Sequence, residues 1–234
     1  SDACQIGERG RNFPALKSHW KTPRVESVAR SGKCPRRATC YECTRPSVGR
    51  ATKPVGLIHF GPGIVAILPI VTLRHAQAAD LPEIVAIYNA SRPDRMATAD
   101  TEPVTVVSRE SWFRDFDPGR RPLWVVTGER GRVEAWLSVR SFYGRPAYHR
   151  TAELGVYTLP AAKRRGHAKT LLAHAIDQAP GLGVATLLAF VFGHNAPSLA
   201  LFARFGFERW GTLPRVAELD RIDRDLAILG RRID

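Results

Sequence analysis

Glu153-Leu-Gly-Val-Tyr-Thr-Leu-Pro-Ala-Ala-Lys-Arg-Arg-Gly-His-Ala168 is the stretch whose reading decides the fold of this 234-residue chain. A strand ends at Pro160, and a basic turn containing one glycine launches a helix. Leu171, Leu172, Ala175 and Ile176 recur at the spacing of one buried helical stripe. Such a turn leaves the first N–H groups of the helix without internal partners, and with the helix dipole they form a socket for a pyrophosphate. Lys163, Arg164 and Arg165 add positive charge there, and side chains larger than those of Gly166 and Ala168 would obstruct a phosphate. On spacing alone the turn reads equally well as a solvated basic connection ahead of a core helix, because short glycine motifs are weak signals.

Outward from this stretch the apolar periodicity is regular from Val71 onward. A strand is expected over 71–74. Asp80-Leu-Pro-Glu83 then has the spacing of a capping box and opens a helix whose Ile84, Ile87 and Tyr88 share a face. A second helix is expected over about 108–116, followed by a hairpin of strands 123–127 and 133–139 around the turn 128–131. Strand 151–158, helix 166–178, strand 185–191, helix 195–205 and strands 207–212 and 224–229 complete the order β-α-α-β-β-β-α-β-α-β-β. No repeat of solenoid length interrupts it.

Composition suits one ordinary domain with an appendage: 44% of residues are hydrophobic and 35 Lys and Arg stand against 22 Asp and Glu. The positive charge is concentrated at the front, where residues 1–70 carry 12 basic and 4 acidic groups. All four cysteines (Cys4, Cys34, Cys40, Cys43) lie there too. Residues 71–234 must therefore cohere by packing, and at that size a domain buries roughly 70% of its unfolded surface. Residues 1–54 show no lasting period and read as a disordered tail. The apolar run 55–73 is interrupted by Gly56, His59, Gly61, Pro62, Gly63 and Pro69, so it reads as a linker rather than a membrane span. No cleavage-site pattern marks a secretory signal, which makes the cytoplasm the default expectation.

Lys163-Arg-Arg-Gly166-His-Ala168 resembles the acetyl-CoA loop of the GNAT acyltransferase superfamily, Gln/Arg-x-x-Gly-x-Gly/Ala, with Lys in the first slot. His194-Asn-Ala-Pro-Ser198 and the closing Leu201-Phe-Ala-Arg-Phe-Gly-Phe207 resemble its second landmark. Within the superfamily, Ile87-Tyr-Asn89, Thr101-Glu-Pro103, Ser111-Trp-Phe113 and Thr151-Ala-Glu-Leu-Gly-Val-Tyr157 are most similar to phosphinothricin and amino-acid N-acetyltransferases. The resemblance covers about 71–230 and leaves 1–70 unexplained. It implies an α/β (α+β) acyl-CoA N-acyltransferase fold: a twisted, mostly antiparallel mixed sheet with helices on both faces, split beside the strand that carries Glu153.

The same resemblance implies roles. Val156, Tyr157 and Thr158 would offer backbone groups to the pantetheine of acetyl-CoA, with Gly155 suited to a bulge there. Lys163, Arg164, Arg165, Gly166, His167 and Ala168 would hold the pyrophosphate, and Asn195 with Ser198 would approach the arm, a role compatible with plain N-capping by Asn195. Glu153 would be the general base, since only a deprotonated amine attacks a thioester. It is also an acid in a strand otherwise reading Ala, Leu, Val and Tyr; the competing reading is a solvated Glu or one paired with Arg150. Many members carry a Tyr where this chain has Phe202, which has no proton to donate. A leaving thiol of pKa roughly 8.5 needs little help, and Tyr157 and His194 are the substitutes. No Cys follows Cys43, so transfer would be direct.

Between two expected strands, Arg140-Ser-Phe-Tyr-Gly-Arg-Pro-Ala-Tyr-His149 mixes aromatics with cations. Arg140, Phe142, Arg145 and Tyr148 are candidates to bind a small amine that bears a carboxylate, with residues 92–98 as an opposing wall; a solvated loop with incidental arginines is the alternative. A protein or peptide N-terminus is the rival acceptor. A nucleic-acid role rests on basicity alone, without aromatic interleaving or a known motif, and ranks lower. Cys34, Cys40 and Cys43 with Cys4 allow a four-thiolate zinc site, but the spacing is irregular, so no metal is expected. The front segment otherwise reads as a tail or an upstream extension from a misassigned start. The family habit of pairing suggests a homodimer.

Overall fold

A computed structural model describes residues 71–128 and 131–233. The expectations for residues 1–70, including the zinc alternative, lie outside these residues. The described chain runs β1 (Thr72–His75), α1 (Leu81–Ala90), α2 (Val106–Arg114), β2 (Leu123–Thr127), β3 (Val133–Ser141), β4 (Thr151–Thr158), α3 (His167–Gln178), β5 (Thr186–Phe192), α4 (Ala196–Arg204), β6 (Glu208–Leu219) and β7 (Ile222–Arg232). This is the expected order. The strands form one sheet in the order β1-β2-β3-β4-β5-β7-β6. Every neighbouring pair is antiparallel except β4 with β5.

Period-two alternation assigns the two faces of the sheet. Trp124 and Val126 of β2, Leu137 and Val139 of β3, and Ala152 and Leu154 of β4 pack with Leu171, Leu172 and Ala175 of α3 and Phe202 of α4. Leu123 and Val125 of β2 with Trp136 of β3 pack on the other side against Ile84 and Ile87 of α1, flanked by Tyr88, Trp112 and Phe113. The Trp136 indole N–H also donates to the Ile84 carbonyl at 3.1 Å, which fixes α1 over β3. Leu171 and Leu172 are fully buried, each worth about 1.5–3 kcal/mol relative to exposure.

Two local expectations are corrected. Asp80 does not cap α1 with its side chain. Its carboxylate instead accepts both terminal nitrogens of Arg74, at 2.6 and 2.8 Å, and the Gln77 N–H at 2.7 Å, while Glu83 accepts the Val133 N–H at 2.7 Å. Arg74 and Gln77, just upstream, take the Asp80 carboxylate, and Val133 of β3 takes that of Glu83, so neither is left for the supposed box. Gly155 is not a bulge in the ladder with β3: the register runs unbroken from Ala135 opposite Thr158 to Ser141 opposite Ala152. Its lack of a side chain is explained by Ser138, whose Oγ would lie 2.9 Å from an added Cβ.

One consequence of the sheet order positions the site. β4 pairs with β5 only over Thr151–Thr186, Ala152–Leu187 and Glu153–Leu188, after which β4 continues on β3 and β5 continues on β7. The sheet parts immediately after Glu153.

Candidate active site

On β3, Trp136, Ser138 and Arg140 are two residues apart, as are Glu153, Gly155 and Tyr157 on β4. All six line one cavity of about 120 Å³ on the α1 and α2 side of the sheet, the space of about four waters. The helices complete it with Ile84, Val85 and Tyr88 from α1 and Arg109 and Trp112 from α2, together with Val104. Trp136 stacks on Tyr157 at 4.4 Å between ring centroids, Tyr88 meets Tyr157 at 5.1 Å, and Trp112 meets Trp136 edge-on at 5.8 Å. The cavity is thus a cup of aromatic rings with charged groups at its mouth.

Glu153 and Arg140 are direct cross-strand partners, so their side chains leave the sheet side by side on the cavity face. Glu153 is half-buried. Among the described residues its carboxylate has no hydrogen-bond or ion-pair partner, Arg150 included. Arg140 is exposed and likewise has no partner among the described residues. A partly desolvated carboxylate beside such a guanidinium can accept a proton from a guest amine while the guanidinium holds the guest's own carboxylate.

Phe142, Arg145 and Tyr148 are not in the cavity lining. Phe142 packs on Tyr143, Tyr148 and Phe190, and Arg145 and Tyr148 are exposed beyond the end of β3. The residues missed by sequence reading are Ser138, Trp136, Arg109 and Trp112. The first two were accessible by counting back in twos from Arg140. Arg109 and Trp112 are one turn apart on a single helical face, but nothing local says that this face covers β3.

At the basic turn, Gly166 is the N-cap of α3 with φ +87° and no capping side chain. Its handedness, rather than crowding, is what requires glycine, since an added Cβ would meet open space. Arg164 also adopts a positive φ, 68°. The first helical bond of α3 runs from the Thr170 N–H to the Gly166 carbonyl, 3.0 Å, so the amides of His167, Ala168 and Lys169 precede it. Two of the cations are already paired: Lys163 with Asp94 at 2.9 Å and Arg165 with Glu134 at 3.3 Å. Buried His167 donates from Nε2 to the other Glu134 oxygen, 2.7 Å away. These open amides, the basic flank and the parted strands fit a pyrophosphate-bearing thioester.

Residues 92–98 do not line the cavity. They form a strap between the far ends of β4 and β5. Ala97 accepts from the Tyr157 hydroxyl at 3.2 Å, Met96 from the Asn195 amide at 2.8 Å and Arg95 from His194 Nε2 at 2.8 Å. Asn195 Oδ1 accepts the Ser198 N–H at 3.1 Å, so Asn195 both caps α4 and clamps the strap. Val156 packs into the core and Thr158 pairs with Ala135. Burial pushes the Tyr157 phenol well above its ordinary range, which makes it a poor proton donor. His194 holds its proton on Nε2 toward a carbonyl. Phe202 is in the core, edge-on to Phe207 at 5.0 Å.

Among the described residues no helix is long and apolar enough to cross a membrane. The sequence pattern of the Acetyltransferase (GNAT) family matches residues 84–207. The chain is 49% identical over 162 residues, 69% of its length and 99% of the relative's, to a Bacillus subtilis (strain 168) protein named "Putative phosphinothricin acetyltransferase YwnH". It is 30% identical, over 63% of its length and 86% of the relative's, to the L-methionine sulfoximine/L-methionine sulfone acetyltransferase of Pseudomonas aeruginosa. A Sinorhizobium meliloti phosphinothricin acetyltransferase, solved in complex with acetyl-CoA, superimposes with a TM-score of 0.66 at 29% identity, covering 70% of this chain and 88% of that one. The parted strands, the glycine-capped helix and these likenesses converge: the chain belongs to the GNAT acetyltransferase family.

Proposed function

We propose that the protein transfers an acetyl group from acetyl-CoA to the primary amine of a small amino-acid-like acceptor, with Glu153 as the general base. The observation that carries this reading is the Glu153 carboxylate, without a partner among the described residues and set beside Arg140 in an aromatic cup at the point where β4 and β5 part. Its likeness to proteins named for phosphinothricin and methionine sulfoximine supports the acceptor class.

Lys163, Arg164, Arg165 and the amides of Gly166, His167 and Ala168 would hold the pyrophosphate, and the open edge of β4 at Val156, Tyr157 and Thr158 would take the pantetheine. When bound, acetyl-CoA supplies an acyl group already activated as a thioester. Arg140 orients the acceptor through its carboxylate. Glu153 takes the proton that keeps the amine from attacking, directly or through a water. Trp136 and Tyr157 form a wall that limits water at the reacting carbon. Asn195 and Ser198 shape the end of the cleft through the strap and α4.

Acetylated product formed by the full-length protein from acetyl-CoA tests the reading, across phosphinothricin, methionine sulfoximine, methionine sulfone, the common amino acids and short peptides. Turnover is expected on an amino-acid acceptor, and Glu153→Gln is expected to lower kcat at least about a hundredfold. An unchanged kcat in that variant overturns the role of Glu153. Turnover on peptides alone overturns the acceptor class.

A further inference from the structure

The cavity contains a second guanidinium that the acetyl-transfer reading does not use. Arg109 enters from α2, across the cup from Glu153 and Arg140. Its Nη2 bonds Asp100 Oδ2 at 3.0 Å, and the same carboxylate oxygen accepts the Tyr88 hydroxyl at 2.7 Å. The guanidinium carbon lies 5.0 Å over the Tyr88 ring and 5.9 Å from the Trp112 ring centre. The side chain is 27% exposed. Among the described residues, Nε and Nη1 have no hydrogen-bond partner. Arg109 is thus held in place by one carboxylate and two aromatic faces, with part of its planar fork left over for a guest.

We propose that Arg109 makes the enzyme selective for acceptors that carry a second anion, an α-amino acid whose side chain ends in a phosphinate or carboxylate. The inference rests on the acetyl-transfer reading above. Arg140 is the cross-strand neighbour of Glu153, so the group it holds must be close to the reacting amine, which assigns it the α-carboxylate. A guest oriented in that way directs its side chain toward the opposite wall, where Arg109 stands. Asp100 takes one hydrogen of Nη2, so one edge of the planar fork, Nη2 with Nε or with Nη1, keeps two parallel N–H donors and matches an anionic oxygen pair. The aromatic neighbours lower the local dielectric and strengthen that match. A neutral end group of the same shape would occupy the same space, yet leave the cation balanced by Asp100 alone.

Phosphinothricin and methionine sulfone separate charge from shape. Their side chains have the same number of heavy atoms in the same arrangement, methyl phosphinate in one and methyl sulfone in the other, and differ by one negative charge. The test compares kcat/KM for the two acceptors with full-length wild type, Arg109→Gln and Arg109→Lys, at saturating acetyl-CoA. The wild type is expected to favour phosphinothricin. In Arg109→Gln the phosphinothricin-to-sulfone ratio is expected to fall at least about tenfold, the weight of a charge-assisted hydrogen bond, with the loss in KM rather than kcat. Arg109→Lys, which keeps the charge without the fork, should fall between. A ratio that stays within twofold in Arg109→Gln, or a wild type that prefers the sulfone, overturns the role of Arg109 and leaves acetyl transfer intact. No turnover of any amino acid by the wild type overturns acetyl transfer and this proposal together.

Discussion

Glu134 places a carboxylate beside the turn proposed to hold the pyrophosphate. It accepts from Arg165 and His167 at once, which steadies the turn but opposes a phosphate. Glu134→Gln keeps an acceptor for His167 and removes the charge, so CoA binding is expected to tighten by about threefold at low salt; calorimetry that shows weaker binding would contradict this. Gly166→Ala forces a side chain into φ +87°, with an expected loss of about 1 kcal/mol in chemical unfolding. The Arg74 guanidinium holds the Asp80 carboxyl below the usual carboxylate range. The sign follows: this stabilisation is complete above the unfolded pKa of about 4 and is lost as pH falls through the lower folded value. Asp80→Asn should therefore be less stable than wild type at neutral pH, and the gap should close in strong acid.

At the level of elements, legibility in the sequence tracked how local each cause is. β4 was read at its observed bounds because its alternation is complete, and α3 because Gly166 and the Leu171, Leu172 and Ala175 stripe signal a start and a face. The Asp80 box misleads because both its carboxylates bond outside the helix: Arg74 and Gln77 take Asp80, and Val133 of β3, fifty residues on, takes Glu83. β6 and β7 were read too short. Gly211 and Pro214 break the apparent strand, but bulges between Arg209 and Gly211 and between Leu213 and Ala217 absorb them. Asp220 and Arg221 then make the turn at φ 52° and 61° without glycine, so no turn signal announced it. Glu153 is visible as an acid in an otherwise apolar strand and Arg140 as a cation at the start of an aromatic-rich connection, although β3 extends through Arg140 to Ser141. The aromatic cup was not, because α2 has no buried residue of its own and its position is set by packing. The strap is likewise a tertiary object, and Asn195 is its hinge pin. Asn195→Ala removes both a helix cap and a clamp, with an expected loss of about 1–2 kcal/mol, read as a lower denaturant midpoint at unchanged slope.

Across the whole molecule, the sheet is two ribbons joined at one narrow place. β1 to β4 form one and β5, β7 and β6 the other, sharing three residue pairs. Helices α3 and α4 and the strap carry the rest of the connection. A seam of that kind makes cooperativity a variable rather than a constant. Without ligand, amide hydrogens on the parted side of residues 154–158 should exchange by local opening, well ahead of those in the ladder between β2 and β3. A molecule lying in the gap would act as the missing strand and lend the two ribbons a common unfolding transition. Acetyl-CoA at a hundred times its dissociation constant should then add about 2.7 kcal/mol to global stability, and it should slow exchange at 154–158 far more than at 123–127. The enzyme's donor would then be, in mechanical terms, the last piece of its own sheet.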